Sequence, residues 1–208
     1  MNDPNPLRIF FFVDGYTLKK VNEFYRFHHP FHARIDFRAL KNWARREAMR
    51  VFAPRAHYAL MECHYYHPCK NPGVYGRYGL SSFMRELRYA GFQVHCCEQV
   101  MDGIHPNMDL FSDALVFAGY HKMDAVVLLS TQGQYALLPD RLRLLGLPTL
   151  LLGWNFSYPK DNRMIRWQTD GGLMEASTYY VAMDRVAERV APYRASSGSL
   201  FAGRMAVP

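Results

Sequence analysis

The chain has 208 residues, half of them apolar and 15% aromatic, and lysine plus arginine exceed aspartate plus glutamate by 25 to 18. That length and apolar content suit one α/β domain with a sizeable core and exclude global disorder. A net charge of +7 points to a polyanionic partner such as RNA or an anionic surface, and is equally compatible with a soluble protein that is merely basic.

The apolar runs are far shorter than the roughly 18 residues needed to span a bilayer, so no membrane partner is expected. The start, MNDPNPLRIFFFVDG, lacks the basic region and small-residue cleavage site of a signal peptide. Four cysteines do not make a disulfide framework, and reduced thiols in a cytoplasmic protein are the simplest expectation.

In chain order, Leu7 to Val13 is a continuous apolar run ending at Asp14-Gly15, as expected of a parallel strand buried on both faces. His28 to His32 lies in an aromatic, histidine-rich loop. Asp36 is a suitable N-cap for a helix to about Arg50, with Phe37, Leu40, Ala44, Ala48 and Val51 at helical spacing. A strand is expected from about Ala56 to Tyr65, then a Pro/Gly-rich loop over Pro68 to Gly79. Ser81 or Ser82 caps a helix ending at Gly91, and Phe92 to Cys97 forms the next strand. Asn107 caps a helix from Met108 to Tyr120, followed by the strand Ala125 to Leu129. A helix from Gln134 to Leu145 leads to the strand Pro148 to Leu152. Residues 153–172 are irregular, with a short edge strand at Met164 to Trp167, and Leu173 to Val190 reads as a final amphipathic helix. Residues 1–190 are thus expected to form one domain and 191–208 a flexible tail. Strands alternating with helices imply a mainly parallel central sheet with helices on both sides, a Rossmann-like three-layer sandwich.

Three acids stand out by position. Asp14 ends the first strand, and Asp109 and Asp113 are four apart on one face of a helix that leads into the strand 125–129. All three are expected at the C-terminal edge of the sheet. Such a group of carboxylates suits Mg²⁺ or Mn²⁺, which could activate a water and offset charge on a phosphodiester. Singly, each has a plain structural role: Asp14 closing a turn, Asp109 favouring a helix dipole, Asp113 solvated.

The ordered set FFFVDGYTL, MDLFSDALVFA, DAVVLLSTQGQYALLPDRLRLLGLPTLLLGW and LMEASTYYVAM resembles the NYN domains, PIN-like nucleases of the DUF88 and LabA-like group. CHYYHP and FMRELRYAGFQV fit the same order, and the resemblance covers roughly residues 7–187. It implies a PIN-like fold and a divalent-metal site that cuts RNA, with Asp14, Asp109 and Asp113 at three of the family's acidic positions.

The chain also departs from that pattern. The family's Ser-Gly-Asp-x-Asp-Phe type motif is here Ser130-Thr131-Gln132-Gly133-Gln134-Tyr135, with glutamine in place of both acids. The usual Asn after the first Asp-Gly is Tyr16 or Thr17, and a frequent Lys is Pro106. Glutamine still offers a carbonyl oxygen or an amide but no charge. A carboxylate and a dication about 4 Å apart attract by roughly 8 kcal/mol at an effective dielectric near 20, before desolvation. One metal on Asp14, Asp109 and Asp113 is therefore expected rather than two, with Ser130, Gln132, Gln134 and Asn155 positioning phosphate.

Among weaker signals, Arg26, His28, His29, Lys70 and Arg77 could contact single-stranded RNA, or their loops could simply pack on themselves. CHYYHPC, residues 63–69, has no finger-like spacing, so a strand end is preferred to zinc. The segment 153–208 is a candidate surface for a homo-oligomer or protein partner. The functional expectation is a divalent-metal-dependent ribonuclease with a reduced acidic site. Its alternative is a weak or inactive module that binds RNA or protein.

Overall fold

The computed structural model describes residues 6–69, 81–98, 108–189 and 200–202. Its centre is a six-stranded sheet of β1 (Leu7–Asp14), β3 (Ala59–Cys69), β4 (Gln93–Glu98), β5 (Ala125–Leu129), β6 (Thr149–Gly153) and β9 (Tyr179–Ala182). The spatial order is β4-β3-β1-β5-β6-β9, and every pairing is parallel. Helices cover both faces, giving the expected three-layer α/β architecture.

The strands separate two cores by simple alternation. Ile9, Phe11 and Val13 join Val127, Leu129, Leu150 and Leu152 on one face. There they meet Leu18, Val21 and Tyr25 of α1 (Gly15–Phe27), Leu40, Ala44 and Ala48 of α2 (Phe37–Phe52), and Leu87 of α3 (Ser82–Tyr89). Phe10, Phe12, Val126, Leu128 and Leu151 face the other way. They pack on Leu110, Ala114 and Ala118 of α4 (Met108–Gly119) and on Leu138 and Leu142 of α5 (Leu137–Leu144). Ile9 to Val13 and Leu150 to Leu152 are unbroken apolar runs because both sides of these strands are covered.

Several boundaries differ from the sequence expectation. α1 follows β1 with no intervening turn, so its apolar stripe merges with the strand's apolar run. The expected single helix over Leu173 to Val190 is interrupted: α6 (Gly171–Ala176), strand β9 and α7 (Met183–Arg189) succeed one another. Aromatic and β-branched residues in STYYVA favour the extended form, and pairing with β6 satisfies it. The expected edge strand at 164–167 is one arm of a separate antiparallel hairpin, β7 (Phe156–Lys160) with β8 (Arg163–Trp167). The hairpin turns at Asp161 and Asn162, both with positive φ, where these two residue types are tolerated.

Within the expected tail, 191–208, only residues 200–202 are described, and these are packed into the fold. β10 (Phe201–Ala202) pairs with β2 (Arg34–Ile35), and the Asp36 N–H donates to the Leu200 carbonyl at 2.8 Å. Leu200 is buried, and the Phe201 ring lies 4.9 Å from Tyr25 and 5.3 Å from Phe31. Apolar burial anchors this segment, and the sequence around it carries no periodic pattern to announce it. The predicted cap Asn107 lies outside the described residues. No helix among the described residues is long and apolar enough to cross a membrane.

Candidate active site at the sheet's switch point

From β1 the chain first builds outward through β3 to β4, then returns to β1's other side and builds outward through β5 and β6. The crevice between the C-terminal ends of β1 and β5 is therefore a topological switch point, where open α/β sheets place their ligands. Asp14 ends β1 there, and Ser130 and Thr131 follow β5.

Asp14 is the N-cap of α1. Its carboxylate accepts from the Tyr16 and Thr17 backbone N–H groups at 3.1 and 3.3 Å, from the Thr17 hydroxyl at 2.6 Å and from the Ser130 hydroxyl at 3.2 Å. It is buried, and no ion pair among the described residues involves it. Burial pushes its carboxyl above the ordinary value, and the hydroxyl and N–H donors oppose this without cancelling it. Gly15 is required here: a Cβ would lie 2.2 Å from the Tyr66 carbonyl oxygen, so only glycine lets the chain turn against β3.

The β5 turn is built from hydroxyls. The Thr131 N–H donates to the Thr17 hydroxyl at 3.2 Å, and the Thr131 and Thr17 hydroxyls lie 3.2 Å apart. The Gln132 N–H donates to the Ser130 hydroxyl at 3.1 Å, and its side-chain amide donates to the Thr131 hydroxyl at 3.2 Å. Gln134 is exposed within the short 3₁₀ turn Gly133–Tyr135.

Sequence reasoning missed one acid at this turn. Asp170 packs directly on Gly133, whose Cβ would lie 2.6 to 2.8 Å from the three carboxylate atoms of Asp170. The Asp170 N–H donates to the Thr131 carbonyl at 3.1 Å, and its side chain caps α6 by accepting from Leu173 N–H at 2.9 Å. A carboxylate thus stands beside the Gln132–Gln134 turn, delivered by the chain leaving β8. The only sequence signal is Asp170-Gly171-Gly172, an ordinary helix start. An open cleft of about 450 Å³ lies here, lined by Gln132, Gly133, Arg166, Trp167 and Asp170 among others. Tyr16 approaches Trp167 at a ring-centroid distance of 5.7 Å, bringing α1 and the hairpin together at this edge.

Asp109 and Asp113 occupy α4 in a different setting. The Tyr66 hydroxyl donates to Asp113 Oδ2 at 2.9 Å. Tyr66 stacks on His95 at 4.5 Å, and His95 Nε2 lies 3.0 Å from His64 Nδ1. Burial lowers the His64 and His95 pKa values, while Glu62 acts on His64, and Asp113 and Asp109 on His95, in the opposite direction. His64 Nε2 lies 3.2 Å from Glu62 Oε1, off the line of a hydrogen bond. Register alone assembles this group, since Tyr66 pairs with His95 and His64 with Gln93 across β3 and β4. Among the described residues, no three His, Cys, Asp or Glu side chains are grouped to share one ion. The convergence read from sequence is therefore realised as two neighbouring polar groups. Asp14 lies among hydroxyls, and Asp113 is held by Tyr66, whose own backbone is the register partner of Asp14.

The remaining candidates have clear placements. Asn155 binds within the fold: its Oδ1 accepts from Thr169 N–H at 2.9 Å and its Nδ2 donates to the Tyr180 hydroxyl at 3.1 Å. Arg26 is exposed, with its guanidinium 4.9 Å from the Phe27 ring. His28 stacks on Tyr158 of the hairpin at 3.9 Å. His29 packs among Phe24, Tyr25 and Phe31, and its Nδ1 accepts from Phe31 N–H at 3.2 Å. Lys70, Arg77 and Pro106 lie outside the described residues. Cys63 is buried, and burial pushes its thiol up to about 12, which makes it neither nucleophile nor ready metal ligand.

No family model matches the sequence, and no curated protein matches it. Among solved structures, a protein of unknown function from Vibrio parahaemolyticus is similar, with a TM-score of 0.59 at 18% identity. The match covers 88% of this chain and 97% of that one. The likeness is one of fold, and it spans nearly the whole of both molecules.

Proposed function

We propose that the chain is a divalent-metal-dependent ribonuclease with a reduced acidic site centred on Asp14. One observation carries the reading: a buried carboxylate with no paired cation among the described residues, ringed by hydroxyls, at the sheet's switch point. An uncompensated buried carboxylate is costly, and a hard dication would offset that cost. The donor chemistry fits Mg²⁺ or Mn²⁺, because Asp14, Thr17, Ser130 and the Gln132 carbonyl all offer oxygen. One ion suits this set better than two, since both family acids of the β5 turn are glutamines and Asp113 is engaged by Tyr66. Asp14 would hold the ion, and Asp109 and Asp113, in the neighbouring group, would orient a water rather than share it. When bound, it would polarise a phosphoryl oxygen and acidify a water.

The protein's own groups would do the rest. Thr17 and Ser130 fix the Asp14 carboxylate, Gln132 and Gln134 offer amides to phosphate, and exposed Arg166 at the cleft offsets its charge. Tyr16 and Trp167 present rings on which bases could stack. The test is cleavage of single-stranded and structured RNA in Mn²⁺ or Mg²⁺. Wild-type protein cleaves and Asp14→Asn does not; absence of cleavage by the wild type across metals and RNAs rejects the reading.

A second reading, an RNA-binding module without activity, is favoured by the uncharged Gln132 and Gln134. It predicts salt-dependent RNA binding that survives Asp14→Asn, with no cleavage by either protein.

A further inference from the structure

A cavity of about 220 Å³ lies beside α1. Phe27, Tyr65 and Phe83 wall it, and Lys19, Asn22, Glu23 and Arg26 line it from α1. Spaced by three and four, these α1 residues form one stripe on the helix, in which Glu23 pairs with Lys20 at 3.4 Å. Tyr65 and Phe83 meet edge-on at 5.8 Å, and Tyr65 is fully buried, so the accessible apolar wall is that of Phe27 and Phe83. The Tyr65 hydroxyl lies 3.0 Å from His67 Nδ1, which fixes the ring. Phe27 is 58% exposed, an unusual amount for a phenylalanine backed by an arginine. The charge of Lys19 reaches into the cavity: after burial, it is what holds His67 below its ordinary pKa.

Apolar aromatic walls, with two cations, Lys19 and Arg26, on a rim whose one acid, Glu23, is paired with Lys20, match a planar, heteroaromatic, anionic ligand. The volume lies below the roughly 300–1,000 Å³ of a drug-sized pocket, and so suits a single ring system. The cavity also adjoins the candidate active site. The Tyr65 hydroxyl would lie 2.9 Å from a Cβ on Gly15, the residue after Asp14. Lys19 stands four residues beyond Gly15, about 6 Å of helix rise.

We propose that this cavity is a base-binding subsite for single-stranded RNA. It takes one unpaired base against Phe27 and Phe83, with the flanking phosphates on Lys19 and Arg26. The assignment rests on the reading of RNA as the substrate, but not on catalysis or on metal. Stacking supplies affinity with little choice of base, and Asn22, whose Oδ1 accepts from Ile35 N–H at 3.1 Å, offers its Nδ2 donors.

The experiment measures binding of a fluorescein-labelled five-nucleotide RNA by anisotropy in EDTA, together with photocrosslinking of the same RNA carrying 5-iodouridine. Lys19→Glu and Arg26→Glu are each expected to weaken binding by about tenfold or more, and Phe27→Ala by at least about fivefold. Arg46→Glu, on the exposed face of α2, leaves it unchanged. Crosslinks fall on peptides containing Phe27 or Phe83. A folded Lys19→Glu and Arg26→Glu pair that binds like wild type, or crosslinks confined to other peptides, overturns the subsite. Uridine and adenosine monophosphates are tested as competitors. Tighter binding of the monophosphates than of the oligonucleotide overturns the RNA assignment in favour of a free-nucleotide site. Loss of cleavage activity in the Asp14 test leaves this result unaffected, because binding is read without metal.

Discussion

The Tyr66 hydroxyl donates to Asp113 Oδ2 at 2.9 Å and so ties α4 to β3. Tyr66 is fully buried and stacks on His95, so its ring cannot swing away. This contact joins two features that sequence reading kept apart: an acid candidate on a helix, and an aromatic residue regarded as the end of a strand.

Tyr66→Phe keeps the packing and removes only the hydrogen bond. The loss of a neutral donor to a carboxylate is expected to cost about 1–3 kcal/mol of stability. Urea unfolding at neutral pH measures it, and an unchanged midpoint would show that water replaces the hydroxyl without loss.

For Asp14 the sign runs through burial. Its carboxyl is raised in the folded state, so its contribution to stability is fully present below the unfolded value, about 3.9. That contribution is lost as pH rises through the higher folded value. Asp14→Asn carries no charge and keeps one acceptor for the α1 cap. Metal-free, it is expected to be at least as stable as wild type at pH 8 and to lose that advantage in acid. Asp14→Ala loses the cap as well and should fall below Asp14→Asn by about 1 kcal/mol. Unfolding curves at pH 8 and pH 5 distinguish the two. Equal destabilisation by both would mean that the hydrogen bonds outweigh the buried charge.

The buried histidines act in the other direction. His64 and His95 are held below their ordinary pKa chiefly by burial, as is His67. The unfolded chain therefore takes up protons before the folded one, and stability present above about pH 6.5 falls as pH drops from there towards the folded values. Glu62, Asp113 and Asp109 face the pair and soften the fall, while each histidine's charge would oppose the other's. His64 lies between Phe10, Phe12 and Phe117, so His64→Phe should flatten the slope of stability between pH 7 and 5. A slope unchanged in that variant places the titration elsewhere.

The segment at 200–202 is expected to be structural. Phe201→Ala removes a ring packed on Tyr25 and Phe31 and should cost about 3 kcal/mol or more. Thermal or denaturant unfolding reports it. A change within about 0.5 kcal/mol, the range of a surface substitution, would mean that this strand does not contribute to the fold.

Much of the layout was legible because its signals are local. β1, β5 and β6 announce themselves as apolar runs too short for core helices, and Asp36 caps α2 where expected, accepting from the Arg38 and Ala39 N–H groups. α1 was hidden because Asp14 serves at once as strand end and helix cap, so no turn residues separate the two periods. β9 was hidden because Leu173 to Val190 carries helix-compatible apolar spacing, and only the open edge of β6 selects the extended form for Tyr179–Ala182.

The sequence by itself determined the parallel α/β class, the placement of Asp14 at a strand end, and the lack of charge in the turn after β5. These follow from apolar runs, capping residues and side-chain chemistry, all properties of short stretches. Only the tertiary structure decided what surrounds those residues. Strand order put Asp14 beside Ser130 at the switch point, and register stacked Tyr66 on His95. The return of the hairpin set Asp170 against Gly133. Each juxtaposition joins residues far apart in the chain, and non-local contacts of that kind depend on how the elements pack rather than on any one segment's preference.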